Sequence, residues 1–513
     1  MKEGFYVTTP IYYVNDEPHI GHAYTTIIAD VLARYAKLYG LQTYFLTGTD
    51  EHGQKVRREA NLRGVTPQEQ ANDMVLRFLS AWDSLNIAFD DFIRTTEERH
   101  VQVVEHVLQE LWKTGDIYFG EYQGWYCIPD ERFWPEKDLI GGKCPDCGRQ
   151  VEQLSESNYF FRMSRYQSWL IDYIDKHPDY IQPSHRRNEV LGFLKKPLGD
   201  LCISRPVSRM DWGIRLPFDN AYVTYVWFDA LLNYVTGAGY LSDPGRFEVQ
   251  WPQAVHLIGK DILTTHCVYW PTMLQAAGLP QPKTIFAHGW WILSGAKMSK
   301  SIGNVVKPLD LIRIYGSDPF RYYLVRDMTL GKDSEFSESR LANRYEKDLA
   351  NDLGNLLSRL LSMIENYFHG RIPEFGEYLT QEIQLRKDTE TLVDSCRLIV
   401  ADFALNRAVS EAMMTVSKIN AYLEKTSPWK LVKTGEIDRA ATVLYTATEA
   451  LRITSVLLHP VMPERTAELW RQLGWRPTES LSDALTWGQL EPGSLIEKGM
   501  PLFPRIDPKS AGS

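Results

Sequence analysis

The sequence predicts an α/β protein: a parallel sheet split by a β-rich insertion and followed by an all-α helical bundle. Three observations carry that prediction. A strand, a helix and a second strand succeed one another near the N-terminus. From residue 115 to about 217, short aromatic-rich pieces, turn residues and clustered cysteines replace that alternation. From about residue 340 the pattern is almost purely helical.

The first strand is the apolar run Phe5-Tyr6-Val7-Thr8-Thr9, closed by Pro10. Ile27, Val31, Tyr35 and Leu38 then recur at helical spacing up to Gly40, a helix-stop signal. Tyr44-Phe45-Leu46 is the second strand, running into the polar Thr47-Gly48-Thr49-Asp50. In open parallel sheets such strand ends are where ligands bind. His19 and His22 sit three apart at the helix start and so share a face. Unpaired amides and the helix dipole favour an anion there, and Gly21 leaves room for a nucleotide to approach the backbone. Alone, the pair reads equally well as surface histidines capping a helix.

An amphipathic helix over 100–112 closes the first half of the sheet. Parallel order is expected to resume at 222–227 and 255–259, with a third strand at 284–287 ending at His288-Gly289. Between Gly295 and Gly303 lies Lys297-Met298-Ser299-Lys300-Ser301, a loop able to set two ammonium charges on a polyphosphate. Residues 309–338 read as a small mixed module with a helix starting at Asp318-Pro319. Tyr345, Leu349, Leu353, Leu356, Leu360 and Ile364 form one apolar stripe. Further helices around 404–424, 438–458 and 463–473 make a bundle, and the chain is expected to fray from about Pro504.

At 513 residues the chain has room for several domains of about 100–200 residues. Its 44% hydrophobic and 24% charged content is that of an ordinary globular protein. No apolar run approaches the roughly 18 residues of a membrane span, and MKEGFYVTTP passes straight into a strand rather than a leader. A formal charge of −9 excludes nucleic-acid binding by a global field. RNA contacts would need local patches, such as Arg186-Arg187 or Lys195-Lys196, and would be salt-sensitive. Cysteine usage suggests a reducing compartment, so the expectation is a cytoplasmic protein with no membrane partner.

The histidine pair and the lysine loop are distant short motifs, and together they are specific. HIGH followed by KMSKS resembles the class I aminoacyl-tRNA synthetases. TTPIYYVNDEPHIGH, LTGTDEHG, YVWFDALLNY, HLIGKDI and GAKMSKSIGNVV resemble the methionyl enzymes of the bacterial type, over essentially the whole chain. The resemblance implies a Rossmann-like catalytic sheet in two halves, 1–114 and 221–290, split by a connective peptide insertion at 115–220 with a zinc knuckle. It further implies a KMSKS-loop and stem-contact module at 291–340 and an anticodon-binding bundle at 341–513. Large editing insertions, expected of the leucine, isoleucine and valine enzymes, are missing.

The implied reaction activates L-methionine with ATP and passes the methionyl group to the 3′-terminal adenosine of methionine tRNA, elongator and initiator. Activation needs charge neutralised on an in-line phosphorus as pyrophosphate leaves. That chemistry suits His19, His22, Lys297 and Lys300 as catalytic groups, with Mg²⁺ on the leaving group. By motif, Gly21, Gly259, Asp261, His288, Gly289, Met298 and Ser299 join them around ATP. Methionine is apolar with a soft sulfur that favours aromatic edges. The resemblance puts its ammonium on Asp50 and its side chain among Ile11, Tyr13, Trp227, Ala230, Leu231, Tyr234, Ile262 and His266. By spacing alone those aromatics read as ordinary core.

In the bundle, Asn355 and Arg359 lie four apart on a flank off the apolar stripe, and Trp429 follows Pro428 at a turn. The resemblance implies that they read anticodon bases, by stacking and edge hydrogen bonds. The cysteine cluster is Cys127-Ile128-Pro129-Asp130 with Cys144-Pro145-Asp146-Cys147. Zinc takes four tetrahedral ligands; relatives with one such site usually carry a cysteine where Asp130 stands. The alternatives are a Cys3Asp zinc site, a weak site, or a knuckle that folds without metal. Cys202, Cys267 and Cys396 read as buried thiols. The sequence ends after the bundle, without the C-terminal domain some relatives use to dimerise, so a monomer is expected.

Overall fold

Among the described residues, seven parallel strands form the central sheet. They are β1 (Gly4–Thr8), β2 (Tyr12–Tyr13), β3 (Gln42–Asp50), β4 (Asp91–Arg94), β5 (Ile181–Gln182), β6 (Ala254–Gly259) and β7 (Thr284–His288). β3 pairs with β1, β2 and β4, and from β1 the sheet continues through β6 and β7 to β5. The computed structural model describes residues 4–15, 17–127, 132–134, 136–145, 148–293, 296–297, 306–477 and 481–506.

The strands read as near-continuous apolar runs because both faces of a parallel sheet are covered. The main cover is helix α1 (Ile20–Leu38), with 15 buried residues among its 19, so it is a core helix rather than a surface one. It ends in a Schellman motif: Leu41 N–H donates to the Ala36 carbonyl and Gly40 N–H to that of Lys37, with Gly40 at φ +80°. A second helix, α2 (Gln54–Arg63), leaves the end of β3.

One sequence expectation for the middle of the chain is refined and one corrected. First, the β-rich insertion also carries helices. Its four-stranded antiparallel sheet (Ile117–Cys127, Arg132–Trp134, Glu152–Phe161, Leu201–Cys202) is followed in sequence and interrupted by helices Gln167–Lys176 and Ser184–Phe193. Between those helices β5 returns to the parallel sheet as its edge strand, Ile181 opposite Ile285. A two-residue strand is too short to signal itself. Second, residues 222–227 do not resume parallel order. Asp219–Thr224 pairs antiparallel with Ser204–Pro206 and Arg215–Leu216, and the chain then turns into helix α3 (Val226–Leu231). Aromatic and β-branched residues suit any pleated surface, so they predict a strand without its partner, and a short apolar run does not separate strand from helix.

After β7, Trp291–Leu293, Ala296–Lys297 and Ser334–Glu335 form a small sheet. The helical stripe predicted from Tyr345 to Ile364 is buried throughout, and its first part, Tyr345–Gly354, is wound with the wider i→i+5 turn. Leu405–Thr426, Ile437–Leu458 and Pro463–Gln472 match the expected helices. Thr380–Ala401 was not foreseen: it buries Glu382 and Thr389 while exposing Ile383 and Leu398, which blurs its apolar face. Pro504 is held, its carbonyl accepting from the Tyr345 hydroxyl at 2.6 Å beside buried Phe503; the rest of the stretch expected to fray, 507–513, lies outside the described residues. No helix among the described residues is long and apolar enough to cross a membrane.

Candidate active site

The carboxyl ends of β1, β3, β6 and β7 converge on the first turn of α1. His19 is the N-cap residue and His22 stands at the third helical position. Gly21 N–H donates to His19 Nδ1 at 3.1 Å, and His19 N–H to His22 Nδ1 at 3.4 Å. The two rings stack, with centroids 3.8 Å apart. The bland reading is therefore true: both histidines cap the helix. It also orients them, since a neutral imidazole that accepts at Nδ1 carries its proton on Nε2. Both Nε2–H groups are thus donors, the character that a phosphate requires. A Cβ on Gly21 would lie 2.9 Å from His19 Cε1, so the glycine makes room for the neighbouring imidazole.

Tyr12 lies tilted against His22, centroids 4.7 Å apart, and bonds Thr26 at 2.8 Å. On the sheet side His288 Nδ1 donates to the Gly289 carbonyl, 2.7 Å, and its Nε2 lies 2.8 Å from the Thr25 hydroxyl. Burial lowers the His288 pKa, so the ring is neutral and accepts from Thr25. That bond ties α1 to the end of β7, and the lysine hairpin starts just beyond, its Trp291 edge-on to Tyr24 at 6.1 Å. Lys297 lies on the hairpin's second strand, opposite Ile292; Met298, Ser299 and Lys300 fall outside the described residues. Gly259 and Gly289 are close-approach positions within the chain. A Cβ on Gly259 would meet Asp261 Oδ1 at 2.5 Å, and one on Gly289 the Lys332 backbone at 2.2 Å. Asp261 is exposed and accepts from Trp290 Nε1 at 3.1 Å.

The methionine-pocket candidates do gather. Asp50, 2% exposed, ends β3 opposite Tyr13, and Tyr13 meets Trp227 edge-on at 6.4 Å. Tyr234 donates to His266 Nε2 at 2.7 Å, while His266 Nδ1 donates to the Ile262 carbonyl at 3.0 Å. Burial pushes the His266 pKa down to about 4, so this ring is neutral too. Burial first, then the nearby Tyr12 and Asp50, raise that of Tyr234. Ala230 and Leu231 are buried on α3; Ile11, Tyr13, Trp227 and Ile262 are half-buried.

Sequence reasoning missed a buried cluster behind this wall. His52 Nδ1 lies 2.7 Å from Asp229 Oδ2 and His100 Nε2 lies 2.8 Å from Asp229 Oδ1, all three buried. Despite desolvation, the histidines hold the Asp229 pKa below its usual value. Two of its members stand in the segments LTGTDEHG and YVWFDALLNY, but nothing in either names the other, or His100, as partner.

In the bundle, the Arg359 guanidinium lies over the half-buried Trp429 ring, 5.8 Å from its centroid, and bonds Glu424 at 2.6 Å. Asn355 is exposed one turn earlier. In the insertion, Cys127 and Cys144 are buried in one small cluster with Val151. Gly148, at φ +69°, closes a turn back onto the Cys144 carbonyl, 2.9 Å. Asp130 and Cys147 lie outside the described residues, and among the described residues no three metal-binding side chains converge. The expected basic patch at Arg186-Arg187 is already neutralised, by Glu189 and Asp175 at 2.7 and 2.8 Å.

A split parallel sheet with a histidine-capped helix at its carboxyl end and a lysine hairpin beside it defines a class I aminoacyl-tRNA synthetase. Residues 5–154 and 149–361 match the family model for tRNA synthetases class I (M), and 372–511 the anticodon binding domain of methionyl tRNA ligase. The chain belongs to the methionyl-tRNA synthetase family. It is 46% identical to the methionine–tRNA ligase of Caldanaerobacter subterraneus subsp. tengcongensis, over 99% of this chain and 80% of that one. With the Streptomyces coelicolor enzyme it shares 42% identity over 99% and 98%. The Mycobacterium tuberculosis methionyl-tRNA synthetase in complex with methionyl-adenylate superposes with a TM-score of 0.94 at 39% identity, covering 98% of this chain and 100% of that one.

Proposed function

We propose that the chain converts L-methionine and ATP to methionyl-adenylate and transfers the methionyl group to the 3′-terminal adenosine of methionine tRNA, elongator and initiator alike. One grouping supports this reading: a buried carboxylate, Asp50, stands opposite Tyr13, which meets Trp227, and is near enough to Tyr234 to raise its pKa, while the first turn of α1 carries two imidazoles whose Nε2–H groups are donors. Asp50 holds the ammonium. Tyr13, Trp227, Tyr234 and neutral His266 surround the thioether, with Ile11, Ala230, Leu231 and Ile262 completing the wall. The methionine carboxylate attacks the α-phosphorus and pyrophosphate departs. His19 and His22 donate to the phosphates, and Lys297 and Lys300 add charge as it builds on the leaving group; positioning and electrostatics supply the rate. Gly259, Asp261, His288, Gly289, Met298 and Ser299 border the nucleotide. Mg²⁺, when bound with ATP, neutralises the pyrophosphate.

Asn355, Arg359 and Trp429 form the anticodon contact, and the enzyme works as a cytoplasmic monomer. Two converging buried thiols suit zinc, which Cys127 and Cys144 would hold with Asp130 and Cys147; there it stabilises the insertion and takes no part in the chemistry. Protein purified without added metal should hold about one zinc per chain, by elemental analysis. Cys144→Ser should lose it, and metal-free wild-type protein would overturn the assignment.

Pyrophosphate exchange across the amino acids tests the activity: methionine should be strongly preferred, and preference for another amino acid would refute the reading. Trp429→Ala should lower tRNA charging about tenfold, the worth of one stacked base, with exchange intact. Equal loss of both would mean misfolding instead.

A further inference from the structure

The root of the lysine hairpin is held by a carboxylate with no part in the reaction proposed above. Asp333 stands just before Ser334–Glu335, the strand that pairs with Trp291–Leu293. Its Oδ1 accepts the Trp290 backbone N–H at 2.9 Å, and its Oδ2 accepts from the Lys260 ammonium at 2.6 Å. The Trp290 side chain closes the circuit. Its indole Nε1 donates to Asp261 Oδ1 at 3.1 Å, and the Lys260 ammonium lies 4.1 Å from its ring centroid. Although desolvation opposes it, the bonds from Lys260 and Trp290 hold the Asp333 pKa below its usual value, so the group is ionised. Its footing is firm. Lys332 N–H closes a turn onto the Thr329 carbonyl at 3.0 Å. Gly331, at φ +96°, sits so close to Pro183, just after β5, that a Cβ there would lie 2.8 Å from the proline ring.

We infer that Asp333 is a positioning residue for adenylate formation, fixing the Asp261 carboxylate and the strand that carries Lys297 relative to one another. This rests on the function proposed above. β6 and β7 are paired as far as Gly259 and His288, and their pairing ends there. Lys260 and Asp261 follow the one strand, Trp290 and the hairpin the other, so the sheet no longer sets their spacing. Asp333 spans that fork. Lys297 pairs with Ile292, two residues after Trp290, so a shift at Trp290 passes directly to the strand that bears the lysine. Misplacing a group that acts on the reacting phosphates by about 1 Å can cost about 10²-fold in rate. The Asp333 side chain is 37% exposed, and an ion pair so open to water adds little to stability. Its loss should therefore appear in the chemistry rather than in folding.

The test compares Asp333→Ala, Asp333→Asn, Trp290→Phe and the double variant Asp333→Ala with Trp290→Phe. Asp333→Ala should lower kcat for methionine-dependent pyrophosphate exchange by about tenfold to about 10²-fold, with the KM for methionine and the melting temperature nearly unchanged. Transfer of the methionyl group from preformed adenylate to tRNA no longer involves the triphosphate and should keep its rate. Asp333→Asn, whose amide oxygen still accepts the Trp290 N–H, should recover part of the loss. The double variant should be little worse than the more damaging single one, because both act through one joint. Unchanged exchange in Asp333→Ala, exchange and transfer lowered alike, or fully additive losses in the double variant would each overturn the inference. Absence of methionine-dependent exchange in the unsubstituted chain would instead sink the activity on which it rests.

Discussion

His22 uses its two nitrogens for different ends. Nδ1 accepts the His19 amide and closes the helix cap, which leaves Nε2–H to donate. The same division holds for His19 through Gly21 N–H, and the stacked rings keep the two donors side by side. Removing a donor aimed at developing charge costs about 2.7–4 kcal/mol in the transition state, whereas losing a cap costs only about 1 kcal/mol of stability. His22→Ala should therefore lower pyrophosphate exchange by about 10²–10³, with methionine affinity little changed and a small drop in melting temperature. Near-normal exchange would remove the phosphate role and leave the cap alone. The motif itself was legible in the sequence. What the sequence could not convey is that Gly21 serves the His19 ring, or that His288 is occupied with Thr25 and the Gly289 carbonyl, because those are contacts made only after folding.

Helix α3 carries three of the candidate methionine contacts, Trp227, Ala230 and Leu231, yet spans only six residues. So short a helix has little stability of its own, and its placement depends on what it is fastened to. Asp229 is that fastening: its two oxygens meet His52, two residues beyond Asp50, and His100 on the helix Glu98–Lys113. The clip thus fixes the apolar wall relative to the carboxylate. Leaving a buried polar group without its hydrogen-bond partner costs about 1–3 kcal/mol. Asp229→Ala should lower the unfolding free energy by about that amount and raise the KM for methionine more than it lowers kcat, while Asp229→Asn, which keeps one acceptor, should recover part of both. A fall in kcat at unchanged KM would show that the cluster does not position the wall. At this scale, long periodic elements such as α1 and the helices after residue 404 could be read from the sequence. The paired partners of short apolar runs could not: β5 and the strand Asp219–Thr224 depend on neighbours far along the chain.

Across the whole molecule, the helix that presents the histidines is bolted to the bundle at its far end. Arg321, fully buried, donates to Asp30 of α1 at 2.6 Å and to the carbonyls of Pro460, Val461 and Leu85 at 2.9, 2.9 and 3.0 Å. Tyr35 adds a bond from α1 to the Leu457 carbonyl, 2.9 Å. A division of the chain by sequence into consecutive segments conceals this joint, since its members lie on α1, on the helix Ser317–Arg326 and beyond residue 456. Buried ion pairs rarely outdo an apolar replacement for stability, but they do fix relative orientation. An enzyme that reads a tRNA at one end and acylates it at the other needs that orientation only in the second step. Arg321→Met leaves Asp30 still bonded to Arg34 and the Ala88 amide. It should destabilise the chain and broaden or split its thermal transition in calorimetry. The kcat/KM for tRNA charging should fall well below that for pyrophosphate exchange. A single sharp transition, with both activities lowered to the same degree, would mean that the joint contributes stability alone and does not align the bundle with the site.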